Sequence, residues 1–126
     1  MKRRTLMQTI VFAMFWPPIL AQAEERSLQA DEIEKLLTGN TISGTWSGRA
    51  YKQYYGTGGF TVYVTARGRA DQGRWRVNHD TNQYESWWQI TGWGAYTLVE
   101  TSGGYAWVHG KSLQPFEVLE GKQVNW

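Results

Sequence analysis

From Thr41 onward, short runs of β-branched and aromatic residues are interrupted by glycine or polar turn residues every eight to twelve positions. That punctuation is the pattern of an antiparallel meander. It predicts strands near 42–48, 50–55, 59–65, 72–78, 84–91, 95–100, 104–109 and 115–119, with Pro115 opening the last one, where its missing N–H does least harm. One helix is predicted ahead of them, over 30–38. Asp31, Glu32 and Glu34 complement the dipole near its start, Ile33, Leu36 and Leu37 form an apolar stripe joined by Leu28, and Gly39 can take the left-handed stop. The expected fold class is mainly β: a small antiparallel meander or barrel-like sheet with one short N-terminal helix.

Residues 1–23 have a different character. A basic start (Lys2, Arg3, Arg4) precedes an apolar run from Ile10 to Trp16, a Pro17-Pro18 break, and Ala21-Gln22-Ala23 ahead of Glu24. This is the layout of a secretory signal cleaved after Ala23. The apolar run is shorter than the ~20 residues that a spanning helix needs. The reading is therefore a signal peptide over 1–23 and a single exported β-rich domain over 24–126, periplasmic or secreted. No cysteine follows the cleavage site to carry a lipid. Strands of ~9–11 residues, which an outer-membrane barrel requires, do not fit between Thr41 and Trp126, so an integral membrane protein is not expected after cleavage.

Charge and cysteine content narrow the partners. Three of the 13 basic residues lie in the first four positions, which leaves ten against 11 acidic residues beyond residue 23. A nearly neutral domain lacks the basic footprint of a nucleic-acid binder. Without cysteine, no disulfide restrains the unfolded chain, so stability must come from packing. Seven Trp, seven Tyr and two Phe remain after residue 23, and each can bury ~150–250 Å².

Alternation sorts those rings onto two faces. Phe60, Val62 and Val64, then Trp75 and Val77, then Tyr84, Trp88 and Ile90 are assigned to the interior. Across the Asn78–Gln83 turn, a register with Arg76 opposite Glu85 puts Val77 near Tyr84, Trp75 near Ser86 and Arg74 opposite Trp87. Arg74, Arg76, Glu85, Trp87 and Gln89 then share the outer face, with an ion pair between Arg76 and Glu85 and a cation–π contact between Arg74 and Trp87. Trp93 is read as projecting from a Gly92-Trp93-Gly94 turn, and Tyr63 as facing away from the interior.

Four stretches carry a resemblance: Leu28-Gln29-Ala30-Asp31-Glu32-Ile33; Leu36-Leu37-Thr38-Gly39-Asn40-Thr41; Tyr54-Tyr55 before a glycine-rich turn; and Gly73-Arg74-Trp75-Arg76-Val77. Together they resemble the family catalogued as domain of unknown function 995, short exported alphaproteobacterial proteins, over about Leu28 to Val108. The resemblance implies an exported β-rich domain and no established activity. Members usually carry a cysteine pair, and Tyr84 and Ala95 stand at the corresponding places here. Gly44-Thr45-Trp46 is similar to the Gly-x-Trp that opens lipocalin and avidin barrels and barrel-shaped bacterial protease inhibitors. The plainer alternative is a half-buried Trp beside a turn glycine.

Catalytic material is sparse. His79 lies in the polar turn Asn78-His79-Asp80-Thr81-Asn82, where bonding to turn backbone is its ordinary use. Glu100 and His109 flank the Ser102-Gly103-Gly104 turn and could pair in a hydrolase, depending on register. Two His without Cys, and with no His-x-His or His-Glu-x-x-His spacing, suggest no metal, and no cofactor is implied. The glycine stretches 56–59 and 103–104 open no helix and read as hairpin turns.

The aromatic surplus is the remaining clue. Trp87, Trp93, Arg74, Arg76, Glu85 and Gln89 form the candidate ligand-binding set: rings to stack on sugar C–H faces, polar groups to take hydroxyls. The expected function is non-catalytic binding of an envelope polysaccharide or an envelope protein. The alternatives are a barrel that holds a small molecule or inhibits a protease, with rings around a cavity, and the Glu100/His109 hydrolase. Burial of the rings by a closed barrel, a second sheet or self-association is the competing explanation.

Overall fold

The computed structural model describes residues 25–125, so the signal peptide expected over 1–23 lies outside the described residues. The elements are β1 (Arg26–Ser27), α1 (Ala30–Leu37), β2 (Thr41–Trp46), β3 (Arg49–Tyr55), β4 (Phe60–Thr65), β5 (Ala70–Asn78), β6 (Gln83–Trp88), β7 (Gly92–Tyr96), β8 (Leu98–Thr101), β9 (Gly104–His109) and β10 (Ser112–Leu119). All ten strands form one antiparallel sheet in the order β1-β8-β9-β10-β2-β3-β4-β5-β6-β7. The fold is thus mainly β with one short helix, as the punctuation predicts.

The sheet curls into a half-barrel. β7 ends the strand order at one side and β8 stands next to its other end, inside β1, yet only Thr97 separates them in the chain. Thr97 binds both sides: its carbonyl accepts the Val108 amide at 3.0 Å and its hydroxyl accepts Gln83 Nε2 at 3.2 Å. The Tyr96 and Trp107 rings meet across this seam, 6.5 Å apart. The single strand predicted over 95–100 is therefore two, which serve opposite ends of the ladder.

α1 closes one end of the half-barrel. Ile33 and Leu37 are fully buried in the same core as Leu28, Ile42, Tyr55, Tyr84 and Leu98. Glu32 Oε1 accepts the Gln29 amide at 2.8 Å, and Asn82 Oδ1 accepts the Ala30 amide at 2.8 Å, so two N-terminal donors of the helix are satisfied. Gly39, at φ 77°, ends the helix and donates its amide to the Tyr55 carbonyl. Because the strands alternate in direction, the turns at 47–48, 66–69, 89–91 and 110–111 gather at the other end, which stays open.

Register decides which side chains face inward. The pairs Gly44↔Tyr51, Gln53↔Tyr63, Tyr63↔Asp71, Trp75↔Ser86, Tyr84↔Tyr96 and Leu98↔Trp107 line the concave face. The expected pairs Val77↔Tyr84, Trp75↔Ser86, Arg76↔Glu85 and Arg74↔Trp87 are all present. The β4 assignment is reversed. Phe60, Val62 and Val64 share a face, but it is the convex one, opposite Arg74, Gln72 and Ala70; Tyr63 points into the cup and stacks on Tyr51 at 5.1 Å. Ile90 is also corrected, because the strand ends at Trp88 and leaves Ile90 94% exposed in the turn.

Apolar residues on the convex face misled the phase because that face is partly covered. The C-terminal tail crosses it, with Gly121 O accepting Thr41 Oγ1 at 2.7 Å, that hydroxyl accepting the Gln123 amide at 2.8 Å, and Val124 buried. Pro115 lies inside β10 rather than at its start. It pairs with Ala106 of β9, and β2 joins β10 only from Phe116. Gly44 is a mid-strand residue, not a turn glycine: a Cβ there would lie 2.6 Å from the Pro115 carbonyl oxygen and 2.9 Å from Phe116 Cβ.

Candidate functional site

The concave face opens at the end opposite α1 into a cavity of about 680 Å³. Its walls come from strands far apart in sequence: Trp46 of β2, Tyr51 and Gln53 of β3, Tyr63 of β4, Tyr84, Ser86 and Trp88 of β6, Tyr96 of β7 and Trp107 of β9. The rings brace one another. Tyr84 and Trp107 are 4.7 Å apart, Tyr63 meets Trp88 edge-on at 6.1 Å, and Trp46 stands edge-on to Tyr96 at 5.3 Å. At the rim His109 stacks on Trp46 at 4.6 Å. Asp71, Gln72, Gln89, Ile90 and Thr91 complete the lining.

One wall is nearly bare. On β7 two of the three concave positions are glycine, Gly92 opposite Trp88 and Gly94 opposite Ser86; the third is Tyr96, opposite Tyr84. A Cβ at either glycine would meet nothing within 4 Å. The sequence reading placed these glycines around a projecting turn; Trp93 and Gly94 are instead within a strand, and Gly94 leaves space inside the cup.

The floor is polar and largely satisfied. Gln53 Nε2 donates to Thr61 Oγ1 at 2.9 Å and to the Tyr84 hydroxyl at 3.4 Å; Trp107 Nε1 donates to the Tyr51 hydroxyl at 3.2 Å; Trp88 Nε1 donates to Ser86 Oγ at 3.2 Å. The fully buried Tyr55 hydroxyl, below this floor, makes no hydrogen bond of good geometry. Burial raises the phenols above their ordinary range: Tyr84 is pushed up to about 12, and Tyr51 and Tyr55 are raised further by loss of solvent. These tyrosines are neutral hydrogen-bonding groups at physiological pH.

The set chosen from sequence divides between two faces. Arg74, Arg76, Glu85, Trp87 and Trp93 come together on the convex side of β5, β6 and β7, with Trp87 opposite Trp93. Arg76 Nε donates to Glu85 Oε1 at 2.7 Å, and Asn78 Nδ2 donates to Oε2 at 3.2 Å; these bonds hold the Glu85 carboxyl below its usual range. The cation–π contact expected between Arg74 and Trp87 is made instead by Arg76 over Trp93, 3.7 Å from the ring centroid, and Trp93 is 43% exposed. Gln89 is separated from this group. It lies in the β6–β7 turn and lines the cup.

Glu100 and His109 are not brought together. Glu100 pairs with Tyr105 and receives Arg26 Nη2 at 2.8 Å, whereas His109 lies four positions further along β9 at the open rim. His79 reaches the helix, where Nε2 lies 3.1 Å from Glu34 Oε2 and Nδ1 lies 3.8 Å from Asp31 Oδ1. This exposed trio, with ligand-type atoms within 4.8 Å of one another, fastens the β5–β6 turn to α1. Motif spacing could not reveal it, because the residues come together only through the fold.

Sequence reasoning missed Tyr51, Gln53, Tyr96 and Trp107 as cup residues and misdirected Tyr63. The signal was present in the two-residue spacing of Tyr51, Gln53 and Tyr55, once β4 is phased on Tyr63 rather than on its valines. No known family, curated protein or solved structure matches the chain.

Proposed function

We propose that the chain is a non-catalytic binding domain of the cell envelope, and that its ligand is a small molecule held in the concave cup. One observation carries this reading: rings from six strands surround an open cavity of about 680 Å³ whose β7 wall carries glycine at two of its three concave positions. Cavities of roughly 300–1,000 Å³ suit small ligands, and aromatic walls with a few polar groups give both burial and orientation. Among the described residues that line the cup, Asp71 is the one carboxylate, and there is no His, Lys or Cys beside it for acid–base or nucleophilic work. The envelope address rests on the composition of residues 1–23.

A second reading keeps the convex patch as a surface for an envelope glycan or other envelope component. It is favoured by the exposure of Trp93 and by the adjacent Arg74, Arg76, Glu85 and Trp87. Arg76 already covers one face of the Trp93 ring and is itself paired with Glu85, which leaves less of the patch for a sugar.

Trp87 and Trp88 are chain neighbours on opposite faces, so they separate the two readings. Titration with N-phenylnaphthylamine, whose emission rises in apolar surroundings, is expected to show affinity at least about tenfold weaker in Trp88→Ala and unchanged in Trp87→Ala. Gly94→Phe fills the cup without removing a wall ring and is expected to block the probe as well. Binding that survives both cup variants overturns the cup reading. Wall-polysaccharide fragments whose binding is lost in Trp87→Ala alone support the convex surface.

A further inference from the structure

We propose that the cup takes an amphipathic ligand with a flat apolar body and an anionic head, a carboxylate, sulfate or phosphate, held at the rim by Arg49 and Arg69. This rests on the cup reading and adds the chemical class of its occupant.

The argument starts from where the charges fall. The near balance of the sequence conceals a polar distribution along the barrel axis. At the closed end stand Asp31, Glu32, Glu34, Asp80, Glu100 and Glu120, accompanied by Arg26, Lys35 and Lys122. The turns at the open end carry Arg49, Arg67, Arg69 and Lys111, all exposed, with Asp71 as the neighbouring carboxylate. His109, also at this rim, is stacked on Trp46.

Two of these cations sit on the concave side of the rim by register. Arg49 pairs directly with Trp46, which lines the cup. Arg69 offers its carbonyl to the Thr65 amide at 3.1 Å, and Thr65 faces Tyr51 across the β3–β4 ladder. Arg69 therefore has the phase of Asp71, two residues on, which faces Tyr63. Burial raises the Tyr63 phenol above its ordinary value, and the Arg49 charge is close enough to oppose that rise.

Among the described residues that line the cup, none is a cation. A fully inserted anion would lose its hydration without a partner, which is strongly unfavourable. An apolar body inside, with its charge left at the rim, satisfies both regions. Guanidinium groups match carboxylate, sulfate and phosphate oxygens in a planar, two-pronged geometry. The basic collar would also draw such ligands toward the opening, an effect that salt screens.

A matched pair of probes tests this on the full domain. Anilinonaphthalenesulfonate and N-phenylnaphthylamine share a ring system and differ in the sulfonate. The sulfonate is expected to bind more tightly, with its advantage reduced about fivefold or more in Arg49→Gln/Arg69→Gln and by added salt, while the neutral probe is unaffected by either. Both substitutions are at exposed rim positions. Equal binding of the two probes, both still blocked by Gly94→Phe, overturns the anionic head and leaves the cup reading standing. Probe binding indifferent to Gly94→Phe and to Trp88→Ala overturns both.

Discussion

Single residues in this domain matter mostly through what lies across the ladder. Gly73 is the clearest case. A Cβ there would fall on the Trp87 carbonyl oxygen and within 2.7 Å of the Trp88 ring, a cup wall. Gly73→Ala is expected to lower stability by about 1–3 kcal/mol, as other overpacking changes do, with a lower denaturant midpoint as the readout. The sequence marks Gly73 as part of a distinctive Gly-x-Trp-Arg-Val run but gives no reason for it, since the obstructing ring arrives from the following strand. Arg76 and Glu85 were legible as partners because a short hairpin limits the registers available to them. The phase of β4 was not legible: Phe60, Val62 and Val64 are as apolar as core residues, while Tyr63 carries the hydroxyl that suggests an outer face. The fold resolves this by placing a polar floor inside and a covering tail outside.

At the scale of elements, the helix is the part most completely readable. Its acidic first turn, its Ile33/Leu37 stripe and its glycine stop agree with one another, and α1 ends one residue short of the predicted boundary. It closes the barrel, so its burial sustains the cup. Ile33 is completely buried, and Ile33→Ala is expected to cost about 2–5 kcal/mol in chemical denaturation. Ordinary stability in that variant would show that α1 is not part of the cooperative core. Turn residues alone give eight of the ten strands: β1 has no such signal, and β7 and β8 were merged. Their division at Thr97 comes from the curl of the whole sheet, which no local pattern encodes. The same curl explains why the candidate set divided: Gln89 follows Trp87 in alternation only if β6 continues, and the strand ends at Trp88.

For the molecule as a whole, the buried tyrosines couple stability to alkaline pH. Tyr51, Tyr55 and Tyr84 all have their pKa values raised by burial, so their neutral forms favour the fold. That contribution is complete below the ordinary tyrosine value of about 10 and is lost as pH rises through the folded values, about 12 for Tyr84. Phenolate absorbance is expected to report these three late and together with loss of the sheet signal in circular dichroism. Ionisation of all seven tyrosines near 10 with the sheet intact would contradict this packing. The joint at Thr97 has a consequence of another kind. Chain continuity ties the two ends of the ladder together at Thr97 alone, and the outer edge of β7 has no strand partner among the described residues. A sibling chain laid along that edge would lengthen the sheet, which makes it the place where crowded copies would begin to zip into fibres.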